Sequence, residues 1–154
     1  MMPRVARELP YIDEHAIEVA ASAERAWDAV GESMGGDASS PVVRAGVRVL
    51  GCRDVEVRGD ALVEGSTFPG WRVAEVSRPE RLVYEGRHRF SRYMLTYRID
   101  PLGPRRARVR AETRAAFPGA VGSAYRAMVI GTRFHVIALR RLLGAIRRRA
   151  EAGS

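Results

Sequence analysis

The chain has 154 residues, 46% hydrophobic and 29% charged, a size and balance that fit one folded domain and exclude both a disordered tail and a two-domain enzyme. All 26 basic residues are Arg, with no Lys, Asn or Gln, and the formal net charge is +8. Residues 1–104 carry fourteen Arg against sixteen acids, while residues 105–154 carry twelve Arg against Glu112 and Glu151, so the basic character belongs to the C-terminal third and reads as a solvated arginine face rather than a nucleic-acid signal.

No charge-free run approaches the roughly 18 residues of a membrane span, and the N-terminus lacks a signal-peptide core. Cys52 is the only cysteine, which rules out an internal disulfide and a four-cysteine zinc site. The expectation is a cytoplasmic protein. Residues 1–10 read as an N-terminal arm, 11–150 as one domain and 151–154 as a tail.

Tyr11 to Ala20 alternates, with His15, Ile17 and Val19 on one side and Glu14, Ala16 and Glu18 on the other, which predicts a half-buried strand. Ser22 is placed to cap a short helix from Ala23 to about Gly31, whose Ala26, Trp27 and Val30 share a face. Gly31 to Pro41 reads as a glycine-rich cover segment with room for a short second helix. From Val42 to Phe117 the pattern is a meander of antiparallel strands, near 43–52, 55–57, 61–68, 71–77, 81–90, 92–100 and 106–117. In the last of these Ala107, Val109, Ala111, Thr113 and Ala115 face one way and Arg108, Arg110, Glu112 and Arg114 the other; the inner set is small enough to leave space for a ligand. Beyond Pro118-Gly119 the period becomes helical and predicts one long helix over 120–150. Its inward stripe is Tyr125, Met128, Thr132, His135, Leu139, Leu142 and Ile146, and the small set Ala124, Gly131, Ala138 and Ala145 would allow close approach to a sheet.

Strand, short helix, cover, antiparallel strands and a long last helix follow the order of the α+β helix-grip fold. The segment Ile17-Glu-Val-Ala-Ala-Ser-Ala-Glu-Arg-Ala-Trp27 resembles the strand-to-helix entry of START-like (SRPBCC) proteins, a superfamily that includes polyketide cyclase and lipid-transport types. Gly70-Trp-Arg-Val-Ala-Glu-Val-Ser-Arg-Pro-Glu-Arg-Leu-Val-Tyr84 looks like their central hairpin. The stretch Phe117-Pro-Gly-Ala-Val-Gly-Ser-Ala-Tyr-Arg126, followed by His135, is similar to a bacterial subset. The resemblance implies a curved antiparallel sheet wrapped around the C-terminal helix, with a cavity between them for an apolar small molecule.

The residues themselves offer four groups to weigh. Gly31-Glu-Ser33-Met-Gly35 has the spacing of a nucleophile elbow but follows a helix instead of a strand, so a glycine-rich loop is the reading. His15, His88 and His135 lack the close spacings of a zinc site; no metal and no cofactor are expected. His135, Tyr125, Thr132 and Met128 on the helix, with Tyr93, Tyr97, Trp71 and Thr113 on the sheet, are the candidate ligand-binding set, an apolar floor with a few orienting groups. For His135 and the tyrosines a structural role in the core is the competing reading, and the commoner one for such residues. Ile130, Phe134 and Ile137, framed by arginines, offer a homodimer face.

These observations favour non-catalytic binding of a lipid-, quinone- or polyketide-like molecule. A cyclase, aromatase or dehydratase using the same His and Tyr groups as acid or base is the alternative. A second alternative is a protein- or RNA-interaction module built on the basic helix; no RNA-binding motif supports it.

Overall fold

The computed structural model describes residues 9–36, 40–131 and 133–153. Six antiparallel strands form one sheet in the order β1-β6-β5-β4-β3-β2. They are β1 (Tyr11–Val19), β2 (Thr67–Phe68), β3 (Trp71–Ser77), β4 (Arg81–His88), β5 (Ser91–Gly103) and β6 (Arg106–Ala116). Four helices accompany them: α1 (Ala23–Gly35), α2 (Pro41–Val49), α3 (Gly119–Val129) and α4 (Phe134–Ala152). This is the helix-grip arrangement, with α1 and α4 against one face of the sheet.

The alternation seen in the sequence sets the two faces. Ile17 and Val19 of β1 and Ala107, Val109 and Ala111 of β6 join Trp27 and Val30 of α1 and Leu139, Leu143 and Ile146 of α4 in one core. On the opposite face Arg110 holds Asp100 through two contacts of 2.7 and 3.1 Å, and Glu18 pairs with Arg106 and Arg108. Such exposed pairs contribute little each, but they keep that face wet and so fix which side of each strand is inner. Leu9 packs on this outer face with Val83 and Met94, and the Pro10 carbonyl accepts from Ala115 N, so the end of the arm is part of the packed body.

Three expectations are corrected. The Val-rich stretch expected as a strand over 43–52 is the helix α2, with Ser40 capping Val43 N at 3.5 Å and Pro41 in the first turn; a proline there supplies the right φ and needs no donor. The runs at 55–57 and 61–68 form loops that end in the two-residue β2. The single helix over 120–150 is two helices, because the chain breaks after Ile130 and Arg133 takes a left-handed conformation, φ 60°. Gly131 supplies the weak point, its backbone freedom opposing continuation of the helix.

The break changes which residues face inward. Behind it Tyr125 and Val129 line the interior while Met128 is 58% exposed. Beyond it Leu143 is as buried as Leu139. Ala124, Gly131 and Ala138 are exposed and make no close helix–sheet seam. At its other end α4 runs through Ala152, past the expected tail boundary. There Arg25 of α1 donates to the Arg149 carbonyl at 2.7 Å and Glu151 accepts from Ala20 N at 3.1 Å. No described helix is long and apolar enough to cross a membrane.

Candidate functional site

A cavity of about 430 Å³ opens between the sheet, α2, α3 and the start of α4. Its existence follows in part from side-chain size: Thr113 and Ala115 of β6 and Ala138 of α4 line it, and none of these three fills the space that Leu or Phe would. Helix α2 closes one side with Val43 and Val47, followed by Leu50, which recur at four and three residues and therefore share one face. The remainder is apolar apart from a few groups at two ends, the composition of a small-molecule site.

One end is an aromatic wall. Trp71 meets Tyr93 edge-on at 5.0 Å between ring centres, His88 lies 5.1 Å from Tyr125, and Tyr125 stacks on Phe90 at 5.4 Å. The Tyr93 hydroxyl donates to the Gly70 carbonyl at 2.6 Å, and burial raises its pKa well above the ordinary range, so it stays protonated. Burial likewise pushes the Cys52 thiol and the Tyr125 phenol up and the His88 imidazole down. His88 Nδ1 accepts from Phe90 N at 3.1 Å, so the ring is held neutral and fixed in orientation. Each of these groups is uncharged in an environment that disfavours charge.

The other end is polar. His135 Nε2 lies 3.1 Å from one carboxylate oxygen of Asp13, and His15 Nε2 lies 3.1 Å from the other. Asp13 and Thr113 are register partners on β1 and β6. The Thr113 hydroxyl is buried and without a hydrogen-bond partner, and both Thr113 and His135 border the cavity. Among the described residues no group of three or more His, Cys, Asp and Glu is arranged to hold a metal ion.

Of the eight residues expected from sequence, the structure brings His135, Tyr125, Tyr93, Trp71 and Thr113 to this cavity. It does not bring Tyr97 or Met128. Tyr97 is fully buried, with its hydroxyl 3.3 Å from Met34 sulfur and its ring edge-on to Tyr84, and Met128 points outward for the reason given above. Thr132 lies outside the described residues. Of the proposed dimer face, Phe134 and Ile137 are 67% and 51% exposed, whereas Ile130 lines the cavity. Ser33 of the elbow-like motif sits inside α1, not on a strand-to-helix turn. Asp13 was missed although its signal was present: in the β1 alternation it stands on the same side as His15 and Ile17, and an acid on the apolar side of a strand needs a partner.

Fold and cavity together define a helix-grip protein with an internal, largely apolar compartment. Residues 14–151 match the model of the family described as polyketide cyclase / dehydrase and lipid transport, and the chain belongs to that family. Solved structures of the same fold include the Zhui aromatase/cyclase of a Streptomyces species, at TM-score 0.60 and 17% identity, over 95% of this chain and 98% of that one. A truncated norcoclaurine synthase from Thalictrum flavum matches at TM-score 0.58 and 15% identity, over 91% and 94%. A START superfamily protein from Mycobacterium smegmatis matches at TM-score 0.56 and 15% identity, over 94% and 99%. Identities this low establish the fold alone. No curated protein matches the chain.

Proposed function

We propose that this single domain binds an apolar or amphipathic small molecule, lipid-, quinone- or polyketide-like, in the cavity between sheet and C-terminal helix, without transforming it. The observation that carries the reading is the cavity itself: about 430 Å³, walled by Val43, Val47, Leu50, Leu95, Ala115 and Leu142, with few polar side chains among its lining. Apolar walls contribute most of the affinity and the few polar groups fix orientation. His135, Tyr125, Tyr93, Trp71 and Thr113 are the ligand contacts in this reading, and the cytoplasm is its compartment. Native mass spectrometry of freshly purified protein tests it, a copurifying apolar compound being the expected result. Failure of the wild type to bind any hydrophobic fluorescent probe would remove it.

One observation favours a second, enzymatic reading. The Asp13–His135 contact is the arrangement that orients an imidazole for proton transfer, and the aromatase/cyclase relative shares the fold. Turnover of a polyketide-like substrate that is lost in His135→Phe while binding persists would establish cyclase, aromatase or dehydratase chemistry in place of simple carriage.

A further inference from the structure

The outward side of α4 combines exposed apolar side chains with unpaired cations. Phe134, Ile137, Arg141, Gly144 and Arg148 recur at alternating steps of three and four, which places them on one stripe, on the side of the helix away from the buried Leu139, Leu143 and Ile146. Phe134 and Ile137 are 67% and 51% exposed, and Ile137 shares one surface groove with Arg140, Arg141, Gly144 and Arg148. On α3, the preceding helix, Val121 and Met128 are 64% and 58% exposed. On the outer face of the sheet Arg106, Arg108, Arg110 and Arg114 each holds an acid. In α4 Arg147 pairs with Glu151, but Arg140, Arg141 and Arg148 form no ion pair among the described residues. None is within reach along the chain, because no Asp or Glu occurs between Phe117 and Ala150.

We propose that this stripe is a docking surface for an anionic phospholipid bilayer, with Phe134 and Ile137 entering the interfacial region while Arg140, Arg141 and Arg148 meet lipid phosphates. A guanidinium stays charged at any physiological pH and binds phosphate through paired donors. Apolar side chains in a basic frame are what an interfacial helix presents to such a surface, burial and charge attraction adding to one another. A nucleic acid complements the arginines but offers Ile137 no apolar surroundings. A second copy would bring two sets of unpaired arginines onto one interface. A bilayer supplies phosphate and hydrocarbon along one plane and so satisfies both parts of the stripe, whatever the internal cavity holds.

Cosedimentation tests the surface with vesicles of phosphatidylcholine alone and of phosphatidylcholine with about one-third phosphatidylglycerol. The expected result is binding to the anionic vesicles only, weakening steeply as salt is raised. Replacing Arg140, Arg141 and Arg148 together by Gln should lower vesicle affinity about a hundredfold, roughly fivefold for each charge. The same replacement at Arg58, Arg87 and Arg105, exposed on other parts of the fold, should cost far less. Phe134→Ser combined with Ile137→Ser keeps every charge and should weaken binding about tenfold. All of these side chains are exposed, so the melting temperature should hold in each variant. Absence of binding to anionic vesicles at low salt overturns the proposal. Equal losses in the two arginine triples would mean that net charge alone is at work, and overturn it too. Binding indifferent to the Phe134 and Ile137 substitutions has the same force, since it leaves adsorption without a docking face. A complex with duplex RNA tighter than that with vesicles would assign the stripe to nucleic acid instead, and a concentration-dependent dimer dissolved by Phe134→Ser would assign it to a second copy.

Discussion

Replacing Thr113 with Val should stabilise the unliganded protein, which is the reverse of the usual outcome for a substitution in a buried strand. Thr113 sits on β6 between β1 and β5, opposite Asp13 on one side and Leu95 on the other, and its hydroxyl has no partner. An unbonded buried hydroxyl costs about 1–3 kcal/mol. Valine keeps the β-branch and nearly the same volume, so no cavity is added and strand propensity is kept. The low end of that range gives a gain of ~1 kcal/mol and a rise in melting temperature of roughly 2–4 °C for a chain of this length. Calorimetry and urea denaturation on ligand-free protein read it directly, with the midpoint rising at unchanged m value. A melting temperature that is lower, or equal, in Thr113→Val would mean that the hydroxyl is already satisfied, and the argument from its unmet bond would fall.

The remaining predictions concern packing and pH. Leu139→Ala removes a buried side chain shared between α4 and the main core, and a loss of about 2–5 kcal/mol is expected; Leu142→Ala, at the edge of the cavity, should cost less in the same denaturation assay. Gly86→Ala should be destabilising by ~1–3 kcal/mol, because a methyl group there would overlap the Tyr93 ring and the Gly70 carbonyl oxygen that accepts the Tyr93 hydroxyl; an unchanged midpoint would show that the wall yields. Burial lowers the His88 pKa below 6.5, so the unfolded chain takes up the proton first as pH falls. The stability tied to this group is complete above about pH 6.5 and is lost as pH falls from there through the lower folded value. The slope of melting temperature against pH in that window should be shallower in His88→Phe, and identical slopes would refute the assignment.

Face was legible from the sequence where water lay on one side and core on the other. Arg108, Arg110 and Arg114 alternate with Val109, Ala111 and Thr113, and no other register of β6 would keep the arginines hydrated. Depth was not legible. Tyr93 and Tyr97 share the inner face of β5, but Tyr97 is pinned against Tyr84 and Met34 while Tyr93 stands at the cavity wall. A period of two cannot separate them, because the difference is made by α1, which covers one and not the other. Helix α2 was misread for a local reason: Val42, Val43, Val47 and Val49 are β-branched and look like a strand. The cues that decide it were present in Ser40-Pro41 as cap and first turn, and in the spacing of Val43 and Val47.

The helix break explains both the misplaced stripe and the location of the site. Extrapolating one helical phase from Tyr125 to Ile146 places Met128 and Thr132 inward. Within α3 it is Val129, four residues after Tyr125, and not Met128 that lines the cavity, and with the phase reset after Ile130 His135 falls in the first turn of α4 rather than in the middle of a longer helix. A histidine at that position reaches Asp13 on β1, and a purely apolar continuation of the stripe would have left Asp13 without its second imidazole. The interruption marked by Gly131 and the left-handed Arg133 therefore makes the polar end of the cavity by placing His135 over the one acidic side chain on the inner side of β1. It follows that restoring helix across the break, as in Gly131→Ala, should loosen the His135–Asp13 contact more than it changes the apolar core. NMR at one fixed pH checks this: His135 ring and Asp13 backbone signals that keep their wild-type chemical shifts in Gly131→Ala would show that the break does not position the ring.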